Sequence, residues 1–347
     1  MKLWEKVNCI ILRNFHYYFK DPTINKYLES EISENYEGYL LIFKNKKPIW
    51  ISHPFNYAQI KKKLNKKAIV KNYQTKKEIE NILKTNCGKK IGYNGRFLSA
   101  ESLINLKKLL KGKKFIDVTK ELENEREIKT KTEIEKIKKA TIATKEILKK
   151  IKKLLKKEMS EKEVENKIKQ LIEEKNKKER LGGNYSLAFC TIAFGKNTSN
   201  IHYETGNTKL NTGPVLFDFG LKYEGYCSDI SDSFWFGEKK GKEYKNYEKE
   251  KNKVINAINK IEEILKPNIK AKELYITATK YVGLLPHAIG HGIGIEVHDY
   301  PIGIGEKSEY LLKENLTLAI EPAIYNKKFG IRIENNYLIT KNEFIKF

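Results

Sequence analysis

Two aspartates, Asp218 and Asp229, are the first residues in this chain whose spacing suggests chemistry. They lie in VLFDFGLKYEGYCSDISDSFWF, from Val215 to Phe236. Two runs rich in aromatic and β-branched residues flank the polar link Lys222–Gly225, a pattern that reads as a β-hairpin. The aspartates stand at equal distances from the middle of that link. In that register they face each other across the hairpin, roughly 5 Å apart. Like charges so placed destabilise the pair unless something offsets them. Three readings follow: a cation held between the carboxylates, one carboxyl kept protonated, or another register with both aspartates in solvent.

Later segments add candidate partners. Leu316–Glu321, LTLAIE, alternates: Leu316, Leu318 and Ile320 share one face, and Thr317, Ala319 and Glu321 the other. Gly330–Ile339, GIRIENNYLI, alternates too, with Arg332, Glu334 and Asn336 together on one side. Between hairpin and strands lies HAIGHGIGIEVHDYP, which carries His287, His291 and His298. Two aspartates, two glutamates and one histidine form an oxygen-rich donor set. Such sets suit Mn, Co, Fe or Zn in paired catalytic sites better than a closed structural zinc site. Two divalent ions held together can activate water and polarise the group it attacks.

In the order of these segments the chain resembles the pita-bread metallopeptidases: methionine aminopeptidase, aminopeptidase P, prolidase and creatinase. The matching pieces are FDFGLKYEGYCSD, GHGIGIEVHDYP, AIEP and RIEN, and the resemblance runs from about residue 126 to the end. It implies a catalytic site with two divalent metal ions per subunit, Mn or Co first and Fe or Zn next. The implied ligands are Asp218, Asp229, His291, Glu321 and Glu334. The segment FCTIAFGKNTSNIHY resembles the family stretch that ends in a substrate-side histidine, here His202. The same resemblance makes His202 and His298 hydrogen-bond donors in catalysis and Glu321 a proton carrier as well as a ligand. It makes His287 a pocket residue. Arg332, on the strand face of Glu334, and Tyr325, in EPAIY, are candidate supports for substrate and ligands. Four positions depart from the family pattern. Ser231 and Asp232 stand where threonine and arginine are usual, Ile201 where proline is frequent before the histidine, and Asn335 where aspartate is frequent after Glu334.

The elements that must position these residues point to an α+β protein. Its length, 347 residues, exceeds what one core usually serves. Two domains are expected: residues 1–125, a smaller α/β domain resembling the creatinase/prolidase N-terminal domain, and residues 126–347, the pita-bread domain. In the first, strands are expected at Gly38–Phe43, Pro48–Ser52, Ala68–Val70, Lys89–Tyr93 and Lys114–Val118. Helices are expected at Phe55–Leu64, Thr75–Lys84 and Ser99–Lys111. His16 and Tyr17 have no neighbours that would make a site, and His53, before Pro54, reads as a loop residue. In the second, Thr132 with Glu135 and Ser160 with Glu163 can form capping boxes for two helices. Further helices are expected at Lys251–Leu265 and Ala271–Tyr281.

Composition narrows the function. The formal net charge is +24, nearly all from lysine, since only five of the 68 basic residues are arginines. Base readout and phosphate forks favour arginine, and these lysines spread along the whole chain, so a specific nucleic-acid partner is not expected. No apolar run reaches the 18 or more residues that span a membrane, and the N-terminal stretch lacks the pattern of a signal peptide. The cysteines Cys9, Cys87, Cys190 and Cys227 form no CxxC, which fits a reducing cytoplasm. Cys227 shares the face of Asp229 by alternation; it stands near the metals or, more simply, in the core. The resulting expectation is a cytoplasmic Xaa-Pro peptidase and a homodimer acting on short peptides. Prolidase action on dipeptides comes first, aminopeptidase P action on longer peptides second, and a non-catalytic binding protein on the same fold is the alternative of another class.

Overall fold

The structure is a computed structural model that describes residues 2–15, 19–33, 35–179 and 184–347. His16 and Tyr17 lie outside the described residues. The chain divides into two compact units, Met1–Arg126 and Glu127–Phe347.

The first unit is built on a mixed sheet. Its elements are α1 (Leu3–Lys6), β1 (Cys9–Phe15), β2 (Phe19–Lys20), α2 (Thr23–Leu28), β3 (Gly38–Ile42), β4 (Ile49–Ser52), α3 (Tyr57–Leu64), β5 (Ile69–Asn72), α4 (Lys76–Asn86), β6 (Lys90–Tyr93), α5 (Ala100–Leu109) and β7 (Lys114–Asp117), with α6 (Thr119–Glu127) closing it. The strand order is β5-β4-β3-β1-β6-β7, with β2 beside β1. Strand β1, absent from the sequence expectation, is central. Its apolar run Cys9–Leu12 is buried on both faces: Ile10 and Leu12 join one core with Leu28, Trp50 and Leu64, and Cys9 and Ile11 join the other with Leu83 and Leu106. A strand covered on both sides loses its alternation, so period alone does not reveal it. His53 lies in a loop, where its Nδ1 accepts from the Phe55 amide.

Among the described residues of this unit Asp21 is the buried carboxylate, 1% exposed. The Thr23 amide donates to its Oδ1 and the Asn94 side-chain amide to its Oδ2, each at 2.9 Å. Burial outweighs these donors and pushes its pKa up to about 6.

The second unit begins with two long helices, α7 (Lys131–Leu154) and α8 (Glu161–Lys178). Then come β8 (Tyr185–Phe194), β9 (Gly213–Tyr223), β10 (Tyr226–Cys227), β11 (Ile230–Phe236), α9 (Gly241–Ile264), α10 (Ala271–Val282) and β12 (Gly290–Gly292). The chain ends with β13 (Thr317–Ile320), β14 (Ala323–Tyr325), β15 (Gly330–Arg332), β16 (Asn335–Ile339) and β17 (Phe344–Lys346). One sheet holds β8, β9, β10 and β11; a second runs β12-β13-β16-β17; β14 and β15 form a separate hairpin. Helices α7 and α8 pack Ile147, Ile151, Val164 and Ile168 on the apolar face of the first sheet, against Phe217 and Phe219.

Several local expectations need correction. The capping box of α7 is Thr130 with Glu133, two residues before Thr132 with Glu135. Both pairs fit the local pattern; the Tyr226 hydroxyl donates to Glu133 at 3.0 Å, a tertiary contact the local pattern does not contain. The box at Ser160 and Glu163 is present as expected. Helix α9 starts ten residues earlier than Lys251, because Tyr247 buries itself against Trp235 and Phe329 and anchors an otherwise polar segment. Gly330–Ile339 is not one strand: it breaks at Ile333–Glu334 and serves two sheets. Cys227 sits in the core with Ile137, Ile293 and Ile295, its thiol against the Ile295 carbonyl.

Candidate metal centre

The β9–β11 pairing sets the first two carboxylates, in a register two residues from the expected one. Asp218 faces Ser231. The turn is only Glu224-Gly225, both at positive φ (47° and 86°), a two-residue hairpin connection of the primed type. Asp229 therefore lies diagonal to Asp218, on the same face. The chain breaks strand geometry at Ser228, whose carbonyl comes so near Gly220 that any Cβ there would lie 1.9 Å from it. Asn336 of β16 replaces the missing ladder bonds. Its Oδ1 accepts from the Asp229 amide at 3.0 Å, and its Nδ2 donates to the Asp229 carbonyl at 2.8 Å. A lone amide in an alternating strand carries no signal of its partner, so the sequence does not reveal this role of Asn336.

The other three candidate ligands come from the second sheet. His291 is the middle residue of β12, opposite Ala319. Its Nδ1 lies 2.9 Å from the Gly292 carbonyl. A carbonyl only accepts, so Nδ1 carries the proton and Nε2 presents its lone pair. That Nε2 lies 3.5 Å from Asp229, 3.9 Å from Glu321 and 3.8 Å from Glu334. Glu321 follows β13, its amide tied to the Ile289 carbonyl at 2.7 Å. Glu334 fills the break before β16, its amide donating to the Ser231 carbonyl at 2.9 Å.

Charge is out of balance here. Four carboxylates converge, and Arg332 is the cation among them. It bonds to Asp218, donates through Nε to Ser231 at 3.0 Å and through Nη1 to the Tyr325 hydroxyl at 2.8 Å, with Glu321 at 3.8 Å. The Ser231 hydroxyl lies 2.8 Å from both Asp218 and Glu334 but has one proton to give. Asp229 Oδ1 and Glu334 Oε1 are buried without a hydrogen-bond partner. Burial and the facing carboxylates push Asp229 and Glu334 well above the ordinary carboxylate range, and burial with Glu334 pushes Glu321 to about 8. Bare buried oxygens and excess negative charge are what a cation site offers when its side chains are built for ions. Three overlapping ligand groups bring their donor atoms within 4.8 Å: Asp218, Asp229 and Glu334; His291, Glu321 and Glu334; and Asp229, His291 and His298. The first two share Glu334, an arrangement that fits two adjacent divalent ions.

The remaining candidates surround this cluster. A cavity of about 550 Å³ is lined by His202, His287, His298 and Arg332 together with all five proposed ligands. The His298 ring meets that of His291 edge-on, centroids 4.2 Å apart. Partial burial, then His291, push its pKa down to about 4. His287 turns Nδ1 to the Ala288 carbonyl at 2.6 Å, so its Nε2 is an acceptor, buried and unpartnered. Tyr325 stands behind Arg332, its ring 5.7 Å from that of His287. Of the departures from the family pattern, Asp232 points away from the cluster and pairs with Lys152 of α7 at 2.6 Å. Ser231 lies within the cluster, between Asp218 and Glu334.

Comparison with known proteins gives the family. The pattern described as metallopeptidase family M24 matches residues 135–341, and that of the creatinase/prolidase N-terminal domain matches residues 25–128. The chain belongs to metallopeptidase family M24. A Xaa-Pro dipeptidase of Pyrococcus furiosus is 31% identical over 92% of this chain and 89% of its own length. An uncharacterised peptidase of Methanocaldococcus jannaschii is 38% identical, but the match spans 47% of this chain and only about half of that relative, 48%. The solved prolidase from Pyrococcus furiosus superposes with a TM-score of 0.81 at 27% identity, covering 99% of this chain and 96% of that one. An X-Pro aminopeptidase structure from Thermotoga maritima, at 24% identity and TM-score 0.85 over 98% and 95% of the two chains, shares the fold. The pita-bread domain with a smaller α/β domain before it is thus the fold found. A metallopeptidase family implies divalent metal ions, and the donor set above fits them. Among the described residues no helix is long and apolar enough to cross a membrane.

Proposed function

We propose that this chain is a dinuclear-metal peptidase that hydrolyses the Xaa-Pro bond of dipeptides. The observation that carries the reading is the convergence of four carboxylates and His291 with two buried oxygens left bare. The descriptions of the Pyrococcus furiosus relative and structure supply the substrate class. Asp218, Asp229, His291, Glu321 and Glu334 would together hold two divalent ions, Mn or Co first and Fe or Zn next. When bound, the ions supply an activated water and a positive field for the carbonyl under attack.

The chain's own residues do the rest. Glu321 receives the proton released by water at a carboxylate oxygen and delivers it to the departing nitrogen. His298, neutral at working pH, donates to the carbonyl oxygen as charge develops there. His202 donates to the substrate backbone, and the free Nε2 of His287 accepts from the substrate. Arg332, oriented by Tyr325, holds the Asp218 carboxylate in place. Phe189, Ile201, Val297 and Ile302 line the cavity and give a proline ring an apolar wall. The reading further assigns residues 1–125 to limiting substrate length and to contacts of a cytoplasmic homodimer, and residues 126–347 to catalysis.

Hydrolysis of Met-Pro, Met-Pro-Pro-Ala and Met-Ala-Ser, with Mn or Co restored after chelation, tests this. The expected result is metal-dependent cleavage of Met-Pro alone, reduced about 10³-fold or more in Asp229→Ala. Cleavage of the longer proline peptide would replace the reading with aminopeptidase P. Preference for Met-Ala-Ser would remove proline from it. Absence of cleavage of all three would favour a binding protein, and metal-independent cleavage would overturn the dinuclear-metal reading.

A further inference from the structure

Glu161, the first residue of α8, is a carboxylate the catalytic reading does not use, and it is 0% exposed. Four neutral donors converge on it. Its Oε1 accepts from the Phe194 amide at 2.8 Å and the Asn197 side-chain amide at 2.9 Å. Its Oε2 accepts from the Tyr203 hydroxyl at 2.7 Å and the Gly206 amide at 3.2 Å. Phe194 and Asn197 precede His202 in the chain, and Tyr203 and Gly206 follow it. One buried carboxylate therefore grips both limbs of the loop that carries His202 to the cavity. The approach is close: a Cβ on Gly206 would lie 2.7 Å from the Tyr203 hydroxyl and 3.3 Å from Glu161 Oε2. Backbone bonds reinforce the seam, with the amides of Glu161 and Lys162 donating to the carbonyls of Thr208 and Gly206. The first turn of a helix also favours negative charge. Charge-assisted bonds of this kind are stronger than neutral ones and fix direction as well as distance. The same loop meets the β14–β15 hairpin, where the Gly330 amide donates to Thr198 at 2.9 Å.

We propose that Glu161 is a positioning residue that sets the place of His202 at the metal site, with Tyr203 as its lever. The proposal rests on the peptidase reading above for the role of His202, but its test does not depend on that reading alone. Glu161→Gln and Tyr203→Phe are made in the native chain and in His202→Ala, and each is assayed on Met-Pro with Mn. Histidine imidazole NMR spectra are recorded on the zinc-loaded proteins, with the His202 signal identified by its absence in His202→Ala. In the native background Glu161→Gln lowers kcat about 10- to 100-fold, with KM moved less, and Tyr203→Phe has a smaller effect in the same direction. In the His202→Ala background neither substitution adds a further loss, and both shift the His202 resonance in the native one. Losses that multiply in the double variants, or an unmoved His202 resonance in a folded variant, overturn the proposal. Tyr203→Phe removes one hydroxyl and decides the matter if Glu161→Gln does not fold. If the native protein cleaves none of the peptides, the peptidase reading fails by itself, and the His202 resonance still tests Glu161.

Discussion

Asp21 in the first unit and Asp229 in the second are both aspartates, both buried and both pushed upward in pKa, yet they are different kinds of group. Each Asp21 oxygen meets a donor from its own unit. Asp229 has an oxygen that meets none, and other carboxylates face it. Burial alone does not separate a structural carboxylate from a ligand, and neither does the direction of the pKa. Unfilled acceptor capacity beside further negative charge does.

The largest effect that would break this contrast is on metal removal. Without divalent ions, the raised pKa values of Asp229, Glu321 and Glu334 mean that the folded cluster binds protons more tightly than the unfolded chain does. Its contribution is then greatest at low pH and falls as pH rises from the ordinary carboxylate range through about 8, the value for Glu321. Calorimetry after chelation should show the second unit losing stability between pH 5 and 8. Mn at a thousand times its dissociation constant should restore about 4 kcal/mol and flatten that slope. No response to Mn would remove the cluster's claim to be a cation site.

A smaller effect is expected at Asp21. Its folded pKa of about 6 lies above the ordinary 3.8, so its contribution is complete below the unfolded value and is lost as pH rises through about 6. Asp21→Asn should flatten the pH dependence of the first unit between pH 4 and 7 by about 3 kcal/mol in urea titrations. Metal should not alter that result; a metal response at Asp21 would erase the distinction. The smallest effect concerns the support of Asp229. Asn336→Ala should lower metal affinity or kcat/KM by about 10- to 100-fold without abolishing either, as measured by metal titration and Met-Pro hydrolysis.

The sequence made the candidate ligands legible because each lies in its own short motif, and the structure brings all five to one cavity. It misplaced the hairpin register because Glu224 adopts positive φ, which its residue type does not announce. Strand β1 was hidden because Cys9–Leu12 is apolar on both faces. Glu161 carries no signal of its own because the local pattern around it belongs to the capping box of Ser160 and Glu163. Its four partners lie 33 to 45 positions downstream, beyond the reach of any periodicity. Asn336 was hidden likewise, since its partner Asp229 is 107 positions away.

The bond from His291 Nδ1 to the Gly292 carbonyl has a consequence for how the site tolerates genetic change. A backbone oxygen is present whatever residue is encoded, so no substitution can delete the acceptor that fixes this imidazole's tautomer. What restricts position 292 is space, because a Cβ there would lie 2.4 Å from Tyr300 backbone atoms. Asp229 has no such insurance: the amide that holds it is a side chain, which a single codon change removes. Random mutation should therefore weaken the acidic half of the centre more often than its imidazole half.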